Sequence, residues 1–393
     1  LVVDYNYLDP IPVGEDNYTV LRRLQEKGHD ILWTPHNGGH WILTRAEDIK
    51  WVQETYQIFS HEVFTIPRGS SAVIMPPLTV DPPLHARYRA IINPFMSPSK
   101  VRTMADKARA IAVELIEEIA RKDRCEFRKE FANVLPVVMF LGIVDLPVER
   151  REEFVAMARA NMSATSQEER DRTLKPVVAY VMQVINERYA NPGDDLYSAV
   201  AKWRDNPRFQ GEEEVLGMAL VLFFGGLDTV ASMLTYMARH LATHPEHRRR
   251  IIEDPEVIPK AVEEYLRRFG LSNTGRLILE DVERKGATMK ADEMVMVPIG
   301  RSSLDERLYD DPFAVDFDRP ENFTESGQPA HNTFGNGPHK CVGAPLARAE
   351  MKIFLEEWLK RIPDFSLDPD HDVVVHMNAV PGIDELHLII GKG

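Results

Sequence analysis

The sequence predicts a mainly α fold with small β-sheets, an α+β chain of one domain, and three observations carry that expectation. Apolar residues recur at helical spacing over several long stretches. The strand-like runs are few and short. No βαβ alternation of a doubly wound sheet is present. In chain order, the runs 30–34 and 40–44 flank Pro35-His36-Asn37-Gly38-Gly39 and read as a β-hairpin with a glycine turn. Helices are expected at about 98–119, 147–162, 174–189, 212–242, 255–269 and 344–361. Further strands are expected at 276–279, 293–297, 373–376 and 385–390. No repeat or low-complexity linker divides the chain, and its 27 prolines are spread along it, so one domain over 1–393 is expected.

The composition narrows function. Lys plus Arg number 47 against 61 Asp plus Glu, a formal net charge of −14, which argues against binding nucleic acid or an anionic membrane. The only cysteines, Cys125 and Cys341, lie far apart with no CxxC partner, so neither a disulfide framework nor a four-ligand zinc site is expected. No signal peptide is evident, and the longest apolar run falls short of the roughly 20 residues a membrane span needs. A cytoplasmic location is therefore expected. No GxGxxG is present, so nicotinamide is not expected to bind here.

The most informative segment is Phe334-Gly335-Asn336-Gly337-Pro338-His339-Lys340-Cys341-Val342-Gly343, directly before a predicted helix. Gly335 and Gly337 allow turns that a Cβ would resist, and Gly343 lets a bulky group approach beside the sulfur. Amides of the turn and helix start would favour the Cys341 thiolate, a strong axial ligand for iron. A lone cysteine near glycines is otherwise a buried packing residue. The spacing Phe-Gly-x-Gly-x-His-x-Cys-x-Gly, however, resembles the haem-binding loop of the cytochrome P-450 family. The resemblance implies a cytochrome P-450 fold around a buried haem b, with Cys341 on the iron and Phe334, Gly335 and Gly343 against the cofactor.

The 212–242 stretch would form a helix about 45 Å long at 1.5 Å per residue. Into its apolar run the sequence places Gly225-Gly226-Leu227-Asp228-Thr229. Each glycine costs a helix interior about 1 kcal/mol relative to alanine, and a buried aspartate costs more unless paired. Gly225 and Thr229 share a face, so the threonine hydroxyl can take the Gly225 carbonyl out of the ladder and open a groove. A packing glycine pair followed by a capping Asp-Thr is the structural alternative. The stretch resembles the family's acid-alcohol motif, which implies that Thr229 steadies dioxygen and Asp228 feeds a proton relay.

Glu264-Tyr265-Leu266-Arg267 would alone be a solvated helix pair. With Arg319 it resembles the family's Glu-Arg-Arg triad, which implies a buried scaffold. Haem propionates need cations or hydrogen-bond donors. The resemblance implies His85 and Arg89, four apart on one helical face, with Arg276 and His339. It is similar most of all to the bacterial camphor-hydroxylating branch. Two departures matter: Val73 stands nearest to that branch's ketone-binding tyrosine, and Thr274 replaces an aspartate beside Arg276. Losing a hydrogen-bond donor weakens selection for a ketone. The implied lining of Thr65, Val73, Val221, Phe224, Ser272 and Val380 suits a small hydrophobic substrate, terpenoid or norisoprenoid in kind.

The expected activity is thus hydroxylation by a haem-thiolate monooxygenase using O2 and two electrons. With no flavin or nicotinamide fingerprint in the chain, the resemblance implies an iron–sulfur ferredoxin and its reductase, docking near Arg89, Lys340 and Arg348. The rival readings are a peroxide-driven peroxygenase, for which a relay at Asp228 and Thr229 would be superfluous, and a non-catalytic haem sensor or carrier.

Overall fold

The computed structural model of the chain describes residues 1–12, 15–68, 74–162, 167–377 and 379–391. Val73 lies outside them. The helical body is organised by Pro98–Ile119 and Ala344–Arg361, which pack against each other. Both begin with proline in the first turn, where the missing N–H costs nothing. Ala108 and Ala112 are fully buried on the first helix, so the backbones come close. Phe127, Phe131, Phe354 and Trp358 fill the adjoining core with tilted and edge-to-face ring contacts. Such pairs add about 0.5–1.5 kcal/mol each beyond burial.

The largest sheet has five strands in the order Ile31–Thr34, His40–Leu43, Met294–Pro298, Asn273–Ile278, Phe59–Ser60. The expected hairpin forms, antiparallel, with Ile31 opposite Leu43 and Thr34 opposite His40. Its turn needs glycine at Gly39, where φ is +80° and an added Cβ would lie 2.7 Å from the Trp33 ring. A three-stranded sheet joins Arg124–Glu126, His387–Ile390 and Phe365–Leu367. A two-stranded hairpin pairs Val375–His376 with Gly382–Ile383.

Several expected elements differ in extent. The 212–242 helix is two segments, Glu212–Gly225 and Leu227–Thr243, meeting at Gly226. The 147–162 stretch opens with a 3-10 turn at Val148–Arg150, and 174–189 extends to Gln167–Ala190 despite Pro176. Strand pairing trims 373–376 to Val375–His376 and 385–390 to His387–Ile390, shifts 293–297 to Met294–Pro298, and starts the strand containing Arg276 earlier, at Asn273. Contrary to the sequence expectation, Glu212–Thr243 is long and apolar enough to cross a membrane, yet 56% of its most apolar window is buried inside the protein. That burial is what a core helix requires.

The Glu264, Arg267 and Arg319 side chains meet in the interior. Arg267 grips Glu264 through two bonds of 2.7 Å and also donates to the Ser303, Pro312 and Ala314 carbonyls. Glu264 accepts further bonds from Arg319 at 3.3 Å and from Asn322 and the Asp316 amide, each at 2.8 Å. The cluster thereby pins the segment from Ser303 to Asn322, which leads into the cysteine loop.

Candidate active site

The cysteine loop is built as its glycines require. Gly335 and Gly337 have φ of +72° and +68°, and a Cβ on Gly337 would lie 2.6 Å from the Gln53 carbonyl. The Cys341 amide donates to the Phe334 carbonyl at 2.8 Å, closing the loop. Asn332 bonds Gln53 at 2.9 Å and Asn336 at 2.6 Å, tying the loop to the helix Ala46–Glu54. Cys341 is exposed as a residue, although protein is dense around its sulfur. Burial therefore raises its thiol, against the lowering pull of the Gly343 amide, Arg89, the Ala344 amide and Arg348. The amides thus favour the thiolate as expected, burial opposes them, and a cation at the sulfur would complete the stabilisation.

Open space borders this sulfur and the helix break. A Cβ on Gly225 or Gly226 would meet nothing within 4 Å, and on Gly343 it would meet only the Cys341 sulfur, at 3.8 Å. Val342 of the loop and Phe224 of the helix pack against the same apolar cluster. Thr229 Oγ1 donates to the Gly225 carbonyl at 3.3 Å, the bond expected to open the helix. Asp228 is paired with Arg128 at 2.6 Å, a partner that sequence reasoning missed. Its side chain keeps 21% of its surface free, yet the surrounding protein is dense and burial raises its pKa, opposed chiefly by Arg128.

On another side a polar pocket gathers three imidazoles and a guanidinium. His339 stacks on His61 with centroids 3.9 Å apart and lies 4.4 Å from His85. Asp81 accepts from His339 at 3.1 Å and Ser60 at 2.5 Å. Burial keeps the rings neutral, lowering His85 to about 4 and His61 well below the ordinary imidazole range. His61 is buried with neither ring nitrogen in a well-formed hydrogen bond, only the Leu78 backbone lying near. Arg276 is buried and donates to Thr274 Oγ1 at 2.9 Å and the Gly275 carbonyl at 2.6 Å. Burial lowers it to about 9, and among the described residues no carboxylate lies within ion-pair reach. Thr274 thus takes up the donor that an aspartate would hold. A buried cation beside an orphaned imidazole calls for an anion. Haem propionates fit that demand, and His61 joins the set that sequence reasoning named.

Arg89 is more committed than expected: it donates to the Lys340 carbonyl at 2.7 Å and to Asn93 at 3.2 Å. Arg348 likewise pairs with Glu263 at 2.6 and 2.9 Å, while Lys340 is exposed. Around the strand Asn273–Ile278, the Gly275 amide bonds the Phe64 carbonyl at 2.6 Å and the Asn273 amide bonds the Ala379 carbonyl at 2.8 Å. These links bring Thr65, Ser272 and Val380, each half-buried, to one strand, while Val221 and Phe224 lie on Glu212–Gly225. Ser272 holds φ of +90°, so its placement is backbone-enforced. Glu350, also missed, is buried with Oε2 unpartnered, and burial lifts its carboxyl well above the usual range. No spacing signal marks His61, Arg128 or Glu350.

The family model described as Cytochrome P450 matches residues 90–383. The chain is 31% identical over 386 residues to a probable cytochrome P450 127A1 of Sinorhizobium fredii (strain NBRC 101917 / NGR234), covering 96% of this chain and 91% of that protein. It is 29% identical to the 6-deoxyerythronolide B hydroxylase of Saccharopolyspora erythraea (strain ATCC 11635 / DSM 40517 / JCM 4748 / NBRC 13426 / NCIMB 8594 / NRRL 2338), over 78% of this chain and 76% of that one. Among solved structures, CYP101C1 superposes with a TM-score of 0.90 at 31% identity, covering 100% of this chain and 98% of that one. CYP101J2 gives 0.88 at 33%, covering 100% and 97%. A cysteine on a glycine loop, a helix opened at a threonine and a pocket wanting carboxylates thus agree with the matched family: the chain belongs to the cytochrome P450 monooxygenases, which bind haem iron and take O2, a substrate and electrons from a redox partner.

Proposed function

We propose that the chain is a haem b monooxygenase that hydroxylates a small hydrophobic substrate, terpenoid or norisoprenoid in kind, with O2 and two electrons from an iron–sulfur ferredoxin and its reductase. The observation that carries this reading is the helix opened by the Thr229–Gly225 bond, with Asp228 beside it and open space at both glycines. Free thiols at Cys125 and Cys341 suit a reducing, cytoplasmic compartment.

In this reading Cys341 holds the iron through its thiolate, and His61, His85, Arg89, Arg276 and His339 hold the propionates. When bound, the haem supplies the oxygen-activating redox chemistry, and thiolate donation favours O–O cleavage. Thr229, its own proton on the Gly225 carbonyl, offers its hydroxyl oxygen to the groove as an acceptor, and Asp228 holds and passes the protons consumed when one oxygen atom of O2 is reduced to water. Thr65, Val221, Phe224, Ser272 and Val380 wall the substrate and exclude water around the target C–H bond. Glu264, Arg267 and Arg319 stay outside the chemistry. A screen of terpenoids and norisoprenoids for a haem spin-state change, followed by product analysis, tests the substrate class. The class fails if no member shifts the spectrum.

Two results are expected. Thr229→Ala should keep haem and substrate binding while diverting reducing equivalents to peroxide, read as product formed per electron; an unchanged yield removes the role. Lys340→Glu should slow reduction by ferredoxin most at low salt, because rim charges act on encounter rate and are screened over about 8 Å at physiological salt. Arg348→Glu should do less to encounter, since Arg348 already faces Glu263. Stopped-flow reduction equal to the parent for Lys340→Glu places docking elsewhere.

A further inference from the structure

The Arg128 partner of Asp228 opens onto a second group of polar side chains at the C-terminal hairpin. Arg128 is largely buried and also donates to the Ile383 carbonyl at 2.7 Å and to Ser232 Oγ at 3.3 Å. Its guanidinium therefore stays anchored if Asp228 leaves. A Cβ on Gly382 would lie 2.7 Å from Ser232 Oγ, 2.9 Å from His376 Cε1 and 3.2 Å from Arg128 Nη1. Those three side chains thus converge on one stretch of bare backbone. His376 meets Asp384 through Nδ1 at 2.7 Å and the Val380 carbonyl through Nε2 at 3.2 Å. Both partners are acceptors, so only the doubly protonated ring donates to both. Side-chain exposure climbs outward, from 21% at Asp228 to 25% at His376 and 52% at Asp384.

We propose that protons enter the site through this hairpin: His376, oriented by Asp384, delivers them to Asp228, and Arg128 is a positioning residue that holds the Asp228 carboxylate at the inner end. This rests on the relay role given to Asp228 above. The transfer balances simply. His376 releases the proton of Nε2, the Asp228 carboxylate accepts it, and the neutral ring keeps Nδ1–H on Asp384 until solvent restores the second proton. Protonated Asp228 hands that proton to the Thr229 groove and returns to Arg128. Two such cycles, with two electrons from the redox partner, match the reduction of one oxygen atom to water. Arg128 cannot itself carry the proton, because a guanidinium does not deprotonate in a protein. The charged groups facing Asp228 are Arg128, His376 and Asp384, and burial raises Asp228 against the first two. Glu126 faces Arg128 only through the backbone amides of Arg128, at 3.1 Å, and Lys129.

The test uses the haem-loaded protein and two readouts. First, the infrared stretch of carbon monoxide on the dithionite-reduced protein is followed against pH. His376→Gln removes a cation beside Asp228, so the midpoint assigned to Asp228 (and absent in Asp228→Asn) should rise. Second, reductant oxidation with a [2Fe–2S] ferredoxin and its reductase is followed in H2O and D2O. His376→Gln and Asp384→Asn should slow it roughly tenfold, less than the 10²–10⁴ of losing a direct general acid, because solvent still reaches Asp228. Both should raise the solvent isotope effect and flatten the parent's decline at high pH, and Asp384→Glu should restore the rate. The proposal is overturned if the midpoint stays put, or if it moves while rates, isotope effects and pH profiles match the parent. A parent that takes no electrons from ferredoxin sinks the partner reading instead, and the carbon monoxide titration then decides this one.

Discussion

Cys341→Ala is expected to abolish the thiolate-type absorption of the ferrous carbon monoxide complex while leaving the fold intact. The loop is closed by backbone and asparagine bonds, none of which uses the sulfur, so its shape should survive. Cys125 cannot substitute. It sits on the strand Arg124–Glu126 opposite Leu388, and burial pushes its thiol up to about 12. Cys125→Ser is therefore the control that should leave the spectrum unchanged. A Cys341→Ala protein that keeps the thiolate-type band would overturn the ligand assignment.

Arg267→Ala is expected to cost the largest share of stability of any substitution outside the core apolar residues. It strips Glu264 of its two 2.7 Å bonds and leaves it fully buried with a weaker partner in Arg319 at 3.3 Å. It also orphans the Ser303 and Pro312 carbonyls. Removing one member of a buried ion pair costs about 3–5 kcal/mol, against a total stability of about 5–15 kcal/mol for a typical protein. The variant should unfold at much lower denaturant or fail to accumulate as haem-loaded protein. Glu264→Gln should be milder, because the amide oxygen still accepts from Arg267. A denaturation midpoint for Arg267→Ala equal to the parent's would show the cluster to be structurally neutral.

The parts of the fold legible in the sequence are those with strong local signals. Pro98–Ile119 and Ala344–Arg361 begin and end where proline and periodicity place them, the second with Lys360 and Arg361 in its last turn. The break at Gly226 was harder, because apolar periodicity runs straight through it and only the Thr229–Gly225 bond interrupts the ladder. Two-residue strands such as Phe59–Ser60 and Gly382–Ile383 owe their existence to distant partners and leave no local pattern. The site divides the same way. Cys341, Thr229 and Asp228 sit in contiguous motifs, whereas His61 approaches His339, and Arg128 approaches Asp228, only through tertiary packing across 100 residues or more.

The strand Asn273–Ile278 is joined to Phe64 and Ala379 by the main-chain hydrogen bonds of Gly275 and Asn273. Neither of these two links runs through a side chain at Thr65, Ser272 or Val380. Exchanging them alters volume and polarity at the proposed substrate wall without loosening its frame, whereas the imidazole and guanidinium pocket interlocks side chain on side chain. Substrate range in this chain can accordingly drift under selection one residue at a time, while the cofactor cradle tolerates only coordinated change.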